Sequence, residues 1–168
     1  MFNKSRFEND AEHAWHLGLM AMVLAEYSNE QVDVSKIIKM VLIHDIVEID
    51  AGDTIVYDTK MRALAQKKEM IAAERLFGIL PEDQKKIFME LWREFEERKS
   101  PEAKFAAAID RFEPVLQNYL TDYYAWKEHG ILSTQLYEKN EHIKEGSEEI
   151  WQIVQNIFQE AKESGEIK

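Results

Sequence analysis

The 168 residues are 45% hydrophobic, enough for one compact domain over residues 1–168 whose core needs no covalent staple. The complete absence of Cys excludes disulfide frameworks, thiolate zinc sites, iron–sulfur clusters and cysteine nucleophiles, and it fits a reducing cytoplasm. A net charge of −11 argues against long nucleic acids as partners, whereas a small anionic substrate stays open because a bound cation and an Arg or two reverse the field locally.

Residues 1–7 lack the apolar stretch of a signal peptide, and no later segment approaches the roughly 20 unbroken apolar residues of a membrane span. The expectation is a soluble, cytoplasmic protein. Three prolines and six glycines punctuate a chain in which helical periodicity recurs and alternating β-branched runs are scarce, so the fold class is all-α.

Asn9 or Asp10 is a good N-cap for a first helix, whose stripe of Leu17, Met20, Ala21, Leu24 and Ala25 follows the helical rule. This helix ends near Tyr27 to Asn29. Asp33 or Ser35 caps a second, with Ile37, Ile38, Val41 and Leu42 on its buried face and a stop before Gly52. A loop over Ile49 to Thr59 precedes a long helix to about Phe77, and Pro81 opens another to about Glu97. Ser100 followed by Pro101 starts a helix past Asp110 toward Trp126, with Gly130 as its stop. After Gly146, Ile150, Trp151, Val154, Ile157 and Phe158 stand at helical spacing, so the tail docks on the core.

Polar groups interrupt the apolar faces at a few positions. His44 and Glu48 continue the face begun by Ile37 and Val41, and His13 points inward from the first turn of its helix. Asp110 follows Ala103, Ala106 and Ala107, small residues that let a neighbouring helix approach closely, and Pro114 clashes with the Asp110 carbonyl and is expected to kink the helix there. Burying imidazoles beside carboxylates is costly unless each group is paired or ligated, and one cation satisfies several of them together. Two nitrogens and two carboxylates suit Mn, Fe, Co, Zn or Mg and leave positions open for water and substrate.

EHAWH at Glu12 to His16, IHDIVEIDAGD at Ile43 to Asp53, and AAAID ending at Asp110 resemble the HD superfamily, and more narrowly its 5'-deoxynucleotidase-like branch. The resemblance implies a helical HD-domain bundle used as a homodimer, with one divalent cation held by His13, His44, Asp45 and Asp110. It further implies hydrolysis of (deoxy)nucleoside 5'-monophosphates to nucleoside and phosphate, with acid/base work at Glu48 and Asp53. Arg6 matches a family Arg placed seven residues before the first metal His, and a guanidinium suits phosphate through two parallel hydrogen bonds. Relatives carry an Arg followed by Trp further upstream that holds phosphate and senses the sugar; the chain starts at Met1, so the choice between ribose and deoxyribose stays open.

Blander readings stand beside these. A lone inward His is more often a satisfied core residue, and an Asp in so charged a chain more often a surface charge. Only the ordered pattern lifts the four residues above them. His16 reads as core or helix surface, and His129 and His142 as residues near helix ends where a cation favours the dipole. Tyr119, Tyr123, Tyr124 and Trp126 read as core aromatics. Two other functions compete: a non-catalytic metal- and nucleotide-binding regulatory module, and a phosphohydrolase acting on another phosphate ester. A di-iron bundle needs two Glu-x-x-His motifs, and none of the five histidines has Glu three residues earlier.

Overall fold

The computed structural model describes residue 6, residues 8–52 and residues 59–167, with side chains in the last stretch described from residue 64. Among these residues every regular element is helical, as the sparse Pro and Gly predict. The Asp53 expectation lies outside the described residues.

Local sequence sets each helix boundary. Helix α1 (Asp10–Leu24) begins in a capping box: the Asn9 side chain accepts from the Glu12 N–H, and the Glu12 carboxylate accepts from the Asn9 N–H. Such a cap is worth about 1 kcal/mol, and it fixes the turn that carries His13. Asp33 accepts from the N–H groups of Ser35 and Lys36 to start α2 (Val34–Ile43). Ser100 accepts from Ala103 N–H to start α6 (Pro101–Leu120), with Pro101 in the first turn, where its missing N–H costs nothing.

Between them run α3 (Glu48–Ala51), α4 (Thr59–Phe77) and α5 (Glu82–Glu97). The chain after α6 folds into α7 (Tyr124–His129), α8 (Ser133–Asn140), α9 (Ile143–Gly146) and α10 (Glu148–Glu163). The helix expected to reach Trp126 instead stops at Leu120, because Asp122 and Tyr123 turn to positive φ (54° and 57°) and break the hydrogen-bond ladder. Pro114 sits inside α6 without dividing it, so the expected kink leaves one continuous helix.

Helix α6 is the centre of the bundle, packing against α1, α2, α5, α9 and α10. Ala103, Ala106, Ala107 and Ala108 are buried along it, and Ile150, Trp151, Val154, Ile157 and Phe158 of α10 all join the same core. A smaller core of Ile43, Val47, Ala72, Ala73, Phe77, Met89 and Trp92 lies between α4, α5 and the turn after α2. Tyr123 and Trp126 are buried as expected, whereas Tyr119 and Tyr124 are exposed, at 38% and 51%.

Two expectations need correcting. Leu42 is 47% exposed, and Met40 and Ile43 take its place in the core, because at about 100° per residue Met40 and Val41 flank the Ile37 direction of α2 while Leu42 points well away from it. His142 stands near helix ends as expected, between the end of α8 and the start of α9. Burial, with Arg98 and Arg111 nearby, pushes its pKa down to about 4, so a cation is disfavoured there.

Helix α9 approaches α6 so closely that a Cβ on Gly146 would lie 2.4 Å from the Lys104 carbonyl oxygen and 2.8 Å from Ala108 Cβ. Gly146→Ala is therefore expected to destabilise the protein by about 1–3 kcal/mol, read as a lower denaturation midpoint in urea. An unchanged midpoint would mean that α9 moves away at no cost. Among the described residues no helix is long and apolar enough to cross a membrane.

Candidate metal centre

The switch from α2 into a 3-10 turn delivers His44 and Asp45 to the junction of the two cores. Phe95 of α5 packs on the His44 ring with centroids 4.9 Å apart, so that imidazole cannot swing away. On the other side stands His13, its ring centroid 5.6 Å from that of His44. Asp110 comes up from α6 between them: its Oδ1 is 3.1 Å from His13 Nε2 and 3.5 Å from His44 Nε2. Asp45 Oδ1 lies 3.0 Å from the same His44 nitrogen. The four residues singled out in the sequence as a ligand set are thus brought together from three helical segments.

The protonation of His44 follows from its neighbours. Its Nδ1 is 2.9 Å from the Val41 carbonyl oxygen, which only accepts, so Nδ1 carries a hydrogen and donates it. Nε2 is then left facing Asp45 and Asp110. It is buried and makes no hydrogen bond, since both carboxylates are near without the alignment one requires. A buried polar atom left in this state is expensive. A cation among these groups would satisfy Nε2 and both carboxylates, and the ligand atoms of His13, His44 and Asp45 all lie within 4.8 Å of one another. The residues therefore fit a divalent metal with mixed N and O donors.

Electrostatics point the same way. Burial pulls the His13 and His44 pKa values down, but the carboxylates outweigh it: Asp110 and Glu113 hold His13 up at about 10, and Asp110 and Asp45 hold His44 at about 10. Burial acts to raise Asp110, yet the His13 hydrogen bond and the nearby His44 charge keep it well below the usual carboxylate range. With the protein alone, protons occupy the space where the ligand geometry favours a cation.

The other expected site residues fall in different places. Glu48 opens α3 directly after the His44–Val47 turn and is half-buried. Arg6 grips Glu12 through two parallel hydrogen bonds, one of them 2.7 Å from Nη1 to Oε2, with its side chain 52% exposed. It pulls the Glu12 carboxyl down to about 2. A recess of about 270 Å³ opens between α4 and α5 with Met70, Trp92 and Glu96 among its walls, and Glu96 is near enough to feel the charges of His44 and Asp45.

Sequence reasoning missed Glu113 and Glu8. Glu113 is fully buried and bonds His16 Nδ1 at 2.9 Å and Gln117 Nε2 at 2.6 Å, while Glu8 lies 3.2 Å from His13 Nδ1. The signal for Glu113 was present: it stands three residues after Asp110, on the inward face already read through Ala103, Ala106 and Ala107.

Comparison with known proteins agrees with this arrangement. The chain is 42% identical to a solved structure described as a predicted metal-dependent phosphohydrolase from Magnetospirillum magnetotacticum MS-1, with a TM-score of 0.91 over 99% of this chain and 84% of that one. It is 31% identical over 115 residues to 5'-deoxynucleotidase HDDC2 of Homo sapiens, covering 68% of this chain and 55% of the human protein. It is 26% identical over 116 residues to 5'-deoxynucleotidase hdd1 of Schizosaccharomyces pombe, covering 67% and 57%. The chain thus spans little more than half the length of these curated relatives. A family model described as an HD domain matches residues 1–151, a span that takes in all four converging residues and the His44–Asp45 pair itself, and the chain belongs to the HD domain family.

Proposed function

We propose that this chain is a metal-dependent phosphohydrolase that releases phosphate from nucleoside 5'-monophosphates, deoxy forms included, using one divalent cation held by His13, His44, Asp45 and Asp110. The observation that carries the proposal is the buried, unpartnered His44 Nε2 facing two carboxylates beside a second imidazole. The names of the curated relatives support the substrate class, and the description of the structural neighbour supports the reaction.

Mn, Co, Fe, Zn or Mg, when bound, supplies positive charge that polarises a phosphoryl oxygen and makes water a competent nucleophile at neutral pH. The protein's own residues do the rest. Glu48, at the start of α3 directly after the turn that carries His44 and Asp45, takes the proton of the attacking water. As the bond from phosphorus to the ribose 5'-oxygen breaks, Asp53 donates a proton to that oxygen, a role assigned from the family pattern alone. Arg6 exchanges the two Glu12 oxygens for two phosphate oxygens, which have the same spacing for a guanidinium fork.

The test is phosphate release by metal-stripped protein resupplied with each cation, across ribo- and deoxyribonucleoside monophosphates. Glu48→Ala is expected to lower kcat by about 10²–10⁴-fold with metal content unchanged. Metal and nucleotide binding without turnover in the wild type would replace the enzyme by a regulatory binding module, and turnover confined to other phosphate esters would move the substrate.

The reading extends to a homodimer in a reducing cytoplasm, the latter suggested by the absence of Cys. Helix α1 is apolar on both sides: Leu17, Met20 and Ala21 are buried, while Trp15, Met22 and Val23 are more than 60% exposed. A helix apolar all round is a helix with two partners, and a self-complementary stripe favours a second copy. Sedimentation equilibrium is expected to give twice the chain mass, falling to the monomer in Val23→Glu; a wild-type monomer would refute the dimer.

A further inference from the structure

Glu113 is an unusual core residue. Its side chain is fully buried, no Lys or Arg ion pair reaches it among the described residues, and its Oε2 makes no hydrogen bond. Around it stand His16 Nδ1 and Gln117 Nε2 on Oε1, His13 Nδ1 at 3.5 Å from Oε2, and the Glu8 carboxylate, with ligand atoms of Glu8, His13 and Glu113 within 4.8 Å of one another. A buried carboxylate that shares one imidazole with a second carboxylate is costly, and the neighbouring alanines of α6 show that small apolar side chains fit this face.

The two nitrogens of His13 explain why a carboxylate stands there. Nε2 turns toward Asp110, at 3.1 Å. Nδ1 bonds Glu8 Oε1 at 3.2 Å and faces Glu113 Oε2 at 3.5 Å; because carboxylates only accept, both nitrogens carry a hydrogen in the metal-free protein. A cation would displace the Nε2 hydrogen and leave Nδ1–H toward Glu8 and Glu113, the tautomer a metal-bound imidazole needs. The Val41 carbonyl imposes the same tautomer on His44, so the two imidazoles are oriented alike by different acceptors.

We propose that Glu113 is a positioning residue of the metal centre: its carboxylate, propped by His16 and Gln117, stands 3.5 Å behind His13 Nδ1 beside the Glu8 oxygen that bonds it, and its charge keeps Nε2 directed at the cation. The inference rests on the reading of His13 as a ligand. It assigns His16 a place in the same unit, supporting the support. The buried charge also adds to the negative potential that attracts the cation, beyond what the ligands supply.

A purely structural Glu113, tying α1 to α6, makes opposite predictions, so two measurements on one variant separate the roles. In Glu113→Gln, the affinity of metal-stripped protein for Mn²⁺ by titration calorimetry is expected to weaken about ten- to hundredfold, while the melting temperature without metal holds or rises because a buried charge has gone. An unchanged affinity with a lower melting temperature would overturn the proposal. The wild type gives an independent check by long-range ¹H–¹⁵N spectra of the Zn²⁺-loaded protein. A hydrogen on His13 Nδ1 supports the proposal; a hydrogen on Nε2 contradicts it. Failure of the wild type to bind any divalent cation would instead remove the reading beneath it.

Discussion

Asp110→Asn is expected to lower metal-dependent phosphate release by roughly a thousandfold or more, since a cation supplies several kcal/mol to the transition state and each 1.36 kcal/mol is a factor of ten. Asp110 is singled out because one oxygen, Oδ1, lies beside the Nε2 atoms of both His13 and His44. Asn keeps the shape and removes the charge, and it offers an N–H₂ group where both imidazoles require an acceptor. Metal content per chain, measured on the same samples, is expected to fall with activity, while the helical circular dichroism signal persists. Activity within tenfold of wild type, at full metal content, would remove Asp110 from the ligand set.

The second large effect is the pH dependence of metal binding. Both His13 and His44 have pKa values near 10 in the metal-free protein, above the ordinary 6.5. A raised folded-state value means that the two imidazolium ions stabilise the metal-free fold fully below about pH 6.5, and that this contribution is lost as pH rises through about 10. A cation must displace those protons, so its apparent affinity runs the opposite way. Between these limits affinity is expected to rise with pH by up to about a hundredfold per pH unit, tenfold for each proton displaced. Calorimetric titration in buffers of different ionisation enthalpy counts the protons directly. Equal affinity at pH 6.5 and 8.5, with no proton release, would contradict this coupling.

The parts of the fold legible in the sequence were those that short-range chemistry decides. Asn9, Asp33 and Ser100 cap helices as their side chains predict, because an N-cap is a contact between residues only a few positions apart. The 3-10 turn at His44–Val47 was not legible, since no Gly or Pro between Ile43 and Ala51 marks where the α-helical ladder tightens. The break after Leu120 was equally hidden: Asp122 and Tyr123 adopt positive φ without a Gly to announce it.

The site divides along the same line. Its four central residues are polar interruptions of apolar faces and belong to a spaced pattern, and they converge in the structure. Glu113 acts across a distance of 97 residues from His16, a pairing that no local window contains. Arg6 was read for its spacing from His13, and the structure adds Glu12 as the competitor for its guanidinium.

The most direct test of the account is the crystal structure of the protein grown with Mn²⁺ or Zn²⁺, with diffraction recorded at the metal's absorption edge. One anomalous peak bounded by His13 Nε2, His44 Nε2, Asp45 and Asp110 is the expected result. Full occupancy of a cation elsewhere in the chain, with these four side chains still paired only to one another, would contradict it.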